Sequence, residues 1–523
     1  MSKKPKVLLI GLDGATWDLL KPWTREGELP AIRRLMETGV YSNLVSTIPS
    51  YTMPAWTSMI TGVNPGKHGI YDLYTSSEMQ RRITSSRDRK VPSIFQILSE
   101  YGRTSVAVNI PGTFPPDRIK GAMVSGLMTT PSSRSYFVYP ENLKERISPF
   151  FDKAFTFENA ARIARYLSTD KKAMMVRTDE IVESEAKCSQ MLWEIYKPDL
   201  LWQVLRTTDL LQHYLYDSKD LESENIKCLL AHYRKVDSQI ATIIEHCGGD
   251  VAVFIVSDHG FAPLRKYFHL NNWLEQMGLL KRSTKVLPLF WAVAQFADKF
   301  TDITRSKRLA NNIILRMLGI RAVIDTARKV VSPNVSIDFS ETKAYCPSLT
   351  SQGIKLLATD ETSRDNLVKK IVPALHEVED PETGEPVVER VFERGDIYSG
   401  SYVSQAPDLV IVTREGYIVT DMLSASGDFL CPPLSFTTAK AGDHRPKGVF
   451  IASGSGVNDK GSISPLTVYD ITPAILQLIG IPVPSYMDGT LNNDVLTEDI
   501  VTRQPESETL AERTKWRIAR ANQ

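Results

Sequence analysis

Thiols are few in this chain of 523 residues. There are five cysteines, Cys188, Cys228, Cys247, Cys346 and Cys431, widely scattered and in no CxxC pair. That spacing excludes a disulfide framework and a thiolate zinc site, and the expectation is a reducing, cytoplasmic setting. No apolar run approaches the ~20 residues that a membrane-spanning helix needs. The opening MSKKPKVLLIGLDG has a basic start but no small-residue cleavage site, so it reads as a first strand rather than a signal peptide. An excess of either charge is also missing. Lys and Arg total 62 against 61 Asp and Glu, a formal net charge of +1. Nothing general therefore draws the chain to nucleic acid or to acidic membranes. An anionic substrate has to be attracted locally, by metals or a few placed cations. No internal repeat is visible.

What is there is an α/β alternation with ordinary shares of hydrophobic (42%) and charged (24%) residues. The run KVLLIGL at 6–12 is apolar almost throughout, as expected of a strand buried on both faces of a parallel sheet. Similar runs occur at 200–205 (LLWQVL) and 251–256 (VAVFIV), with further strands at 40–46, 105–109, 408–412 and 448–453. Helical patterns cover 29–39, 93–101, 171–196, 225–245, 364–375 and 469–480. Between 269 and 332 the texture changes. Leu289, Val293, Phe296, Phe300 and Ile303 recur at helical spacing, and Ile313, Ile314, Met317 and Leu318 suggest a second helix. This spacing favours a helix pair packed on the core over peripheral membrane contact by 286–320.

Chemistry-bearing residues gather where the strands stop. Asp13 and Gly14 follow the first strand, and Asp258 and His259 follow the third run. In open α/β sheets the carboxyl ends of the strands form the ligand-binding edge. A lone carboxylate at a buried strand end is costly unless it meets a cation. Asp209 and His213 lie four apart after the 200–205 strand, so a helix there puts both on one face, within reach of one ion. His444 sits in a polar, glycine-containing loop. Thr52 lies where a loop enters a helix that Pro54 suits in its first turn and Gly62 closes. The free N–H groups of a helix start favour an anion such as phosphate. The competing readings are a helix cap for Thr52 and Asp209, and plain turns for the Asp-Gly and Asp-His-Gly segments. The coincidence of position and type favours one shared site.

Five motifs taken together carry a resemblance: GLDG at 11–14, TMPAW through HGI at 52–70, Asp209 with His213, SDHG at 257–260 and GDHRPKG at 442–448. The chain resembles the alkaline phosphatase superfamily and, within it, the type I phosphodiesterase/nucleotide pyrophosphatase family, over about 1–265 and 335–495. The resemblance implies a central, mostly parallel sheet flanked by helices. Residues 1–265 and 336–497 are then two parts of a catalytic core, with a helical insertion at about 140–196. Residues 266–335 form a helical insert or cap, and 498–523 a polar tail.

It further implies two divalent metal ions, zinc or alternatively manganese or iron. One is held by Asp209, His213 and His444, the other by Asp13, Asp258 and His259. Thr52 faces both and is the nucleophile, forming a phosphothreonine that is then hydrolysed. Such a metal pair, about 3.5–4 Å apart, stabilises the entering and leaving oxygens of an in-line displacement. The implied substrate is a small phosphorylated molecule, a phosphodiester or nucleotide pyrophosphate. Phosphomonoesterase, phosphonate hydrolase or phosphotransferase chemistry on the same site is the alternative, and a non-catalytic metal-stabilised binding protein is the third reading. A threonine at the nucleophile position argues against a sulfatase. The family's phosphate-binding asparagine after HGI is missing, and Tyr71-Asp72-Leu73-Tyr74 stands there instead. Asn109 is the expected substitute, with Arg445 as a second phosphate contact.

Overall fold

The apolar run at the amino end becomes strand β1 (Lys6–Leu12), with five strands on one side of it and four on the other in one ten-stranded sheet. The computed structural model describes residues 5–77, 80–126, 136–151, 170–283, 337–423, 427–432, 440–490 and 493–502. The other strands are β2 (Gly39–Val45), β3 (Ser105–Ile110), β4 (Gly121–Ser125), β5 (Val138–Tyr139), β6 (Leu200–Leu205), β7 (Val251–Val256), β8 (Lys447–Gly454), β9 (Gly461–Ser462) and β10 (Leu466–Thr467). Their order across the sheet is β9-β2-β8-β7-β1-β6-β3-β4-β5, with β10 also paired to β2. Strand β1 runs parallel to both neighbours, Leu12 opposite Leu205 on one side and Gly11 opposite Val256 on the other. The sheet is mostly parallel, the main exception being β8, which lies antiparallel between β2 and β7.

Alternation along β1 explains why the run had to be apolar throughout. Leu8, Ile10 and Leu12 enter one core cluster, Val7 and Leu9 the other, and all are fully buried. The first cluster lies under the long helices α2 (Lys171–Tyr196) and α4 (Glu224–Cys247), the second under α1 (Thr52–Thr61) and α5 (Ile471–Ile479). The long helix predicted at 171–196 has the expected bounds, and the closing helix falls inside the predicted 469–480. Residues 266–283 and 337–432 build a third cluster of their own, around Phe268, Tyr345, Ile354 and Leu409. They lie between the two strands of a short antiparallel ribbon, Gly260–Pro263 against Gly442–Arg445. The helix pair expected around 289–318, and with it the membrane-contact alternative for 286–320, falls outside the described residues. So does most of the polar tail, of which Glu498–Val501 is a short helix.

Gly11 is a glycine because the sheet and α1 meet there. A Cβ on it would lie 2.3 Å from Trp56 Cη2, in a core with no room to yield. Gly11→Ala is expected to lower stability by about 1–3 kcal/mol, read as a shift of the denaturant midpoint at unchanged slope.

His68 ends a short helix (Pro65–His68) and is fully buried. Its Nδ1 accepts the Ile70 N–H at 3.0 Å, so its Nε2–H donates to Ser58 Oγ at 2.8 Å and the ring is neutral. Burial, helped by the charge of Arg89, lowers its pKa from 6.5 to about 3. Between those values the unfolded chain binds a proton that the folded chain refuses. The contribution is therefore intact above pH 6.5 and is lost as pH falls toward 3, by about 1.4 kcal/mol per pH unit. His68→Gln is expected to flatten the pH dependence of the unfolding free energy in that window relative to the parent protein.

Candidate metal and phosphoryl-transfer site

Because β1, β2, β6 and β7 all run the same way, their carboxyl ends share one edge of the sheet. Asp13 leaves β1 there and Asp258 leaves β7. Residues 207–215, directly after β6, form helix α3 (Thr207–Leu215), which places Asp209 and His213 one turn apart. His444 comes from far along the chain, yet reaches the same edge for a topological reason. Strand β8 is antiparallel, so it enters the sheet at the carboxyl edge, and His444 lies just before its start. The ribbon sets the register: Phe261 pairs with His444 and Gly260 with Arg445. The His259 and His444 rings end up stacked at 3.7 Å. Gly260 serves close approach rather than a left-handed turn, since a Cβ there would meet the Lys447 carbonyl oxygen at 2.1 Å.

Two groups of ligand atoms result, each drawn together within 4.8 Å: Asp209, His213 and His444, and Asp13, Asp258 and His259. In the first, His444 Nε2 lies 3.1 Å from Asp209 Oδ1 and 3.0 Å from His213 Nε2, and His213 Nε2 lies 3.5 Å from Asp209 Oδ1. In the second, His259 Nε2 lies 3.3 Å from Asp258 Oδ2 and 3.6 Å from Asp13 Oδ1. Thr52 Oγ1 sits 3.4 Å from His259 Nε2. Thr52 opens α1 as its first residue. The N-cap is Tyr51, so the Thr52 hydroxyl is not used as a cap and faces the imidazole instead.

The tautomers follow from the outer nitrogens. His213 Nδ1 faces Gly442 O at 3.0 Å, His259 Nδ1 faces Gly260 O at 3.1 Å, and His444 Nδ1 faces Ser50 O at 3.2 Å. A carbonyl oxygen only accepts, so each Nδ1 carries the hydrogen and each neutral ring turns an Nε2 lone pair inward. Burial keeps all three rings neutral by lowering their pKa values, that of His259 to about 4. Lone pairs therefore face lone pairs and carboxylate oxygens. Asp13 Oδ1 and Asp258 Oδ2 are buried and accept no hydrogen bond. Burial also lifts the Asp13 carboxyl, and burial followed by the charges of Asp13 and Asp209 lifts that of Asp258 well above the ordinary value. Burial pushes Asp209 the same way, but its carboxyl is held low, with the permanent cation of Arg206 beside it. Three carboxylates, three inward lone pairs and two orphaned oxygens fit hard or borderline divalent cations.

Both expected phosphate contacts have amide or guanidinium donors engaged elsewhere, although Arg445 Nε is left without a partner. Asn109 Nδ2 donates to Glu185 Oε1 and to Val204 O, both at 3.0 Å, and the residue is 5% exposed. Its strand end does reach the carboxyl edge, but its amide hydrogens point back under the sheet. Arg445 donates through Nη1 to Thr413 O at 3.2 Å and through Nη2 to Arg414 O at 3.1 Å and Tyr417 O at 3.2 Å. It ties the ribbon to the turn before residues Tyr417–Thr420. Asp72, in the place of the missing asparagine, is bound by the hydroxyls of Ser348 and Thr350.

Sequence reading overlooked two residues that touch the ligands. Arg206 Nε donates to Asp13 Oδ2 at 2.9 Å, and Trp56 Nε1 donates to the same oxygen at 3.2 Å. A signal for each was present. Arg206 directly follows a fully buried strand, where a cation requires a buried anion, and Trp56 is one helical turn from Thr52.

A family profile described as type I phosphodiesterase/nucleotide pyrophosphatase matches residues 7–444. Ectonucleotide pyrophosphatase/phosphodiesterase family member 1 from rat is 38% identical over 71 residues, 13% of this chain and 8% of that protein. Its human counterpart is 39% identical over 69 residues, 13% of this chain and 7% of that protein. The matched stretch thus spans less than a tenth of these curated relatives. Among solved structures, human ectonucleotide pyrophosphatase/phosphodiesterase 5 superposes with a TM-score of 0.51 at 16% identity, covering 94% of this chain and 100% of that one. Phosphonoacetate hydrolase from Sinorhizobium meliloti, in complex with phosphonoformate, superposes with a TM-score of 0.55 at 15% identity, covering 91% and 96%. At such identities the structural likeness speaks for the fold. The profile match runs from β1 to His444, through every cluster assembled at the sheet edge, and the chain belongs to the type I phosphodiesterase/nucleotide pyrophosphatase family.

Proposed function

We propose that this protein is a two-metal hydrolase of phosphodiester or nucleotide pyrophosphate bonds, with Thr52 as the nucleophile. The observation that carries this is the pair of buried ligand groups, lone pairs turned inward, beside one uncapped threonine hydroxyl. Asp209, His213 and His444 would hold one divalent ion, and Asp13, Asp258 and His259 the other. Bound there, the ions supply positive charge that stabilises a threonine alkoxide and the developing charge of an in-line displacement.

The chain's own groups do the rest. Position one of α1 puts Thr52 Oγ next to the free N–H groups of the helix start, which stabilise negative charge on a phosphoryl group. The Oγ–P bond forms as the bond to the leaving oxygen breaks, giving a phosphothreonine. Water then attacks phosphorus, the Thr52 oxygen leaves, and the product carries away the phosphoryl group. Burial of Thr52, 7% exposed, limits competing solvent at the reacting oxygen. The family and its nucleotide-cleaving relatives support a nucleotide-type substrate. The loss of the asparagine after HGI, with Asp72 bound by Ser348 and Thr350, leaves room for another small diester. Zinc, manganese and iron all suit the donor set.

Purified protein loaded with zinc or manganese is expected to cleave bis-p-nitrophenyl phosphate or a nucleotide p-nitrophenyl ester. Thr52→Ala is expected to cost far more than tenfold in kcat. A loss below tenfold, measured at saturating metal, would remove Thr52 from the role of nucleophile.

Metal analysis after dialysis is expected to give close to two ions per chain. A chelator is expected to lower the melting temperature, because ligands bound only by the folded state stabilise it by mass action. A melting curve indifferent to both chelator and added metal would contradict two-ion loading.

A further inference from the structure

Asp13 divides its two carboxylate oxygens between different tasks. Oδ1 faces His259 Nε2 at 3.6 Å and accepts no hydrogen bond. Oδ2 takes both of the donors described above, Trp56 Nε1–H at 3.2 Å and Arg206 Nε–H at 2.9 Å. These donors come from different elements. Trp56 lies on α1, four residues after Thr52, hence on the same helix face. Arg206 is the N-cap residue of α3, and its Nη2 also lies 3.5 Å from Asp209 Oδ2. Thr208, on the same helix, donates its hydroxyl to the Asp13 carbonyl at 2.6 Å. All these side chains are buried, with Asp13, Trp56 and Thr208 0% exposed and Arg206 5%.

We infer that Trp56 and Arg206 are positioning residues. By occupying Asp13 Oδ2 they fix Oδ1 as the metal-facing oxygen and set the spacing between the Thr52 helix, the helix of Asp209 and His213, and β1. The inference rests on the two-metal reading of the site, and it deepens that reading. Two donors on one oxygen, at a side chain with no freedom to rotate, make Asp13 a one-oxygen ligand. Freed from them, the carboxylate can turn, offer both oxygens, or draw Arg206 away from Asp209. Groups that orient ligands in this way are typically worth 10- to 100-fold in metal affinity. Trp56 adds a mechanical link, because a shift of its indole moves Thr52 through one rigid helical turn. Its ring has no slack, being packed against Gly11.

The test is metal affinity by competition with a chromogenic zinc chelator, on the full chain, beside kcat and KM on a diester. Trp56→Phe keeps the charge and removes the donor. It is expected to weaken zinc binding at the Asp13, Asp258 and His259 group about tenfold or more, and to lower kcat with KM changed less than threefold. Phe leaves a void beside Gly11, so Arg206→Lys is the companion variant. It keeps the cation but loses the Nε–H donor to Asp13, and the same loss of affinity is expected. Zinc affinities within twofold of the parent in either folded variant would overturn the inference. The two-metal reading fails differently, as a parent protein that neither binds zinc nor turns over a diester.

Discussion

Acceptor facing acceptor is the constraint on which the rest of this structure depends. Three imidazole lone pairs and three carboxylates are pressed together at the edge of a sheet, most of them without a proton to share. Asp237, a buried carboxylate away from the edge, meets the N–H groups of Ala31 and Ile32 instead. The arrangement at the edge is unfavourable in itself and persists because the surrounding elements over-determine it. Both faces of β1 are buried, the ribbon fixes the pairing of Phe261 with His444, and three backbone carbonyls lock the rings by their outer nitrogens. Rigidity of the scaffold is therefore the condition under which the site can keep its inward lone pairs for a cation.

Arg206 shows how charge is handled inside that scaffold. It is a permanent cation within reach of Asp13 and Asp209, one carboxylate from each ligand group. Its guanidinium offsets part of the like-charge repulsion without filling either ligand group. The cost of burying it is offset by the same carboxylates, a reciprocal arrangement in which neither side is stable alone. Replacing it by a neutral residue leaves uncompensated carboxylates, and replacing the carboxylates leaves an uncompensated cation.

Much of this was legible in the sequence where the signal was local. Runs such as LLWQVL and VAVFIV can only be buried strands, and the residues after them had to lie at one edge once the strands were parallel. The helical spacing of Asp209 and His213 was enough to place both on one face. His444 was readable as a candidate but could not be placed beside the others, because its position depends on an antiparallel strand that no local pattern announces. The hydrogen bonds of Asn109 and Arg445 were not legible for a related reason. Residue type and strand-end position say nothing of which way a side chain's donors turn, and here competing acceptors at Glu185, Val204 and residues 413–417 claim them. The separate core of residues 266–283 and 337–432 was blurred because its short strands carry the same α/β texture as the main sheet.

The late position of His444 has a consequence for how the protein is made. Five of the six candidate ligands leave the ribosome by residue 259, while the sixth follows some 185 residues later. At a synthesis rate of about 5–20 residues per second that interval lasts roughly ten to forty seconds. Throughout it, the growing polypeptide carries one complete ligand trio and one incomplete pair. The second-formed ligand group is complete only when β8 slots between its neighbours, so assembly of both groups is coupled to completion of the sheet and cannot precede it.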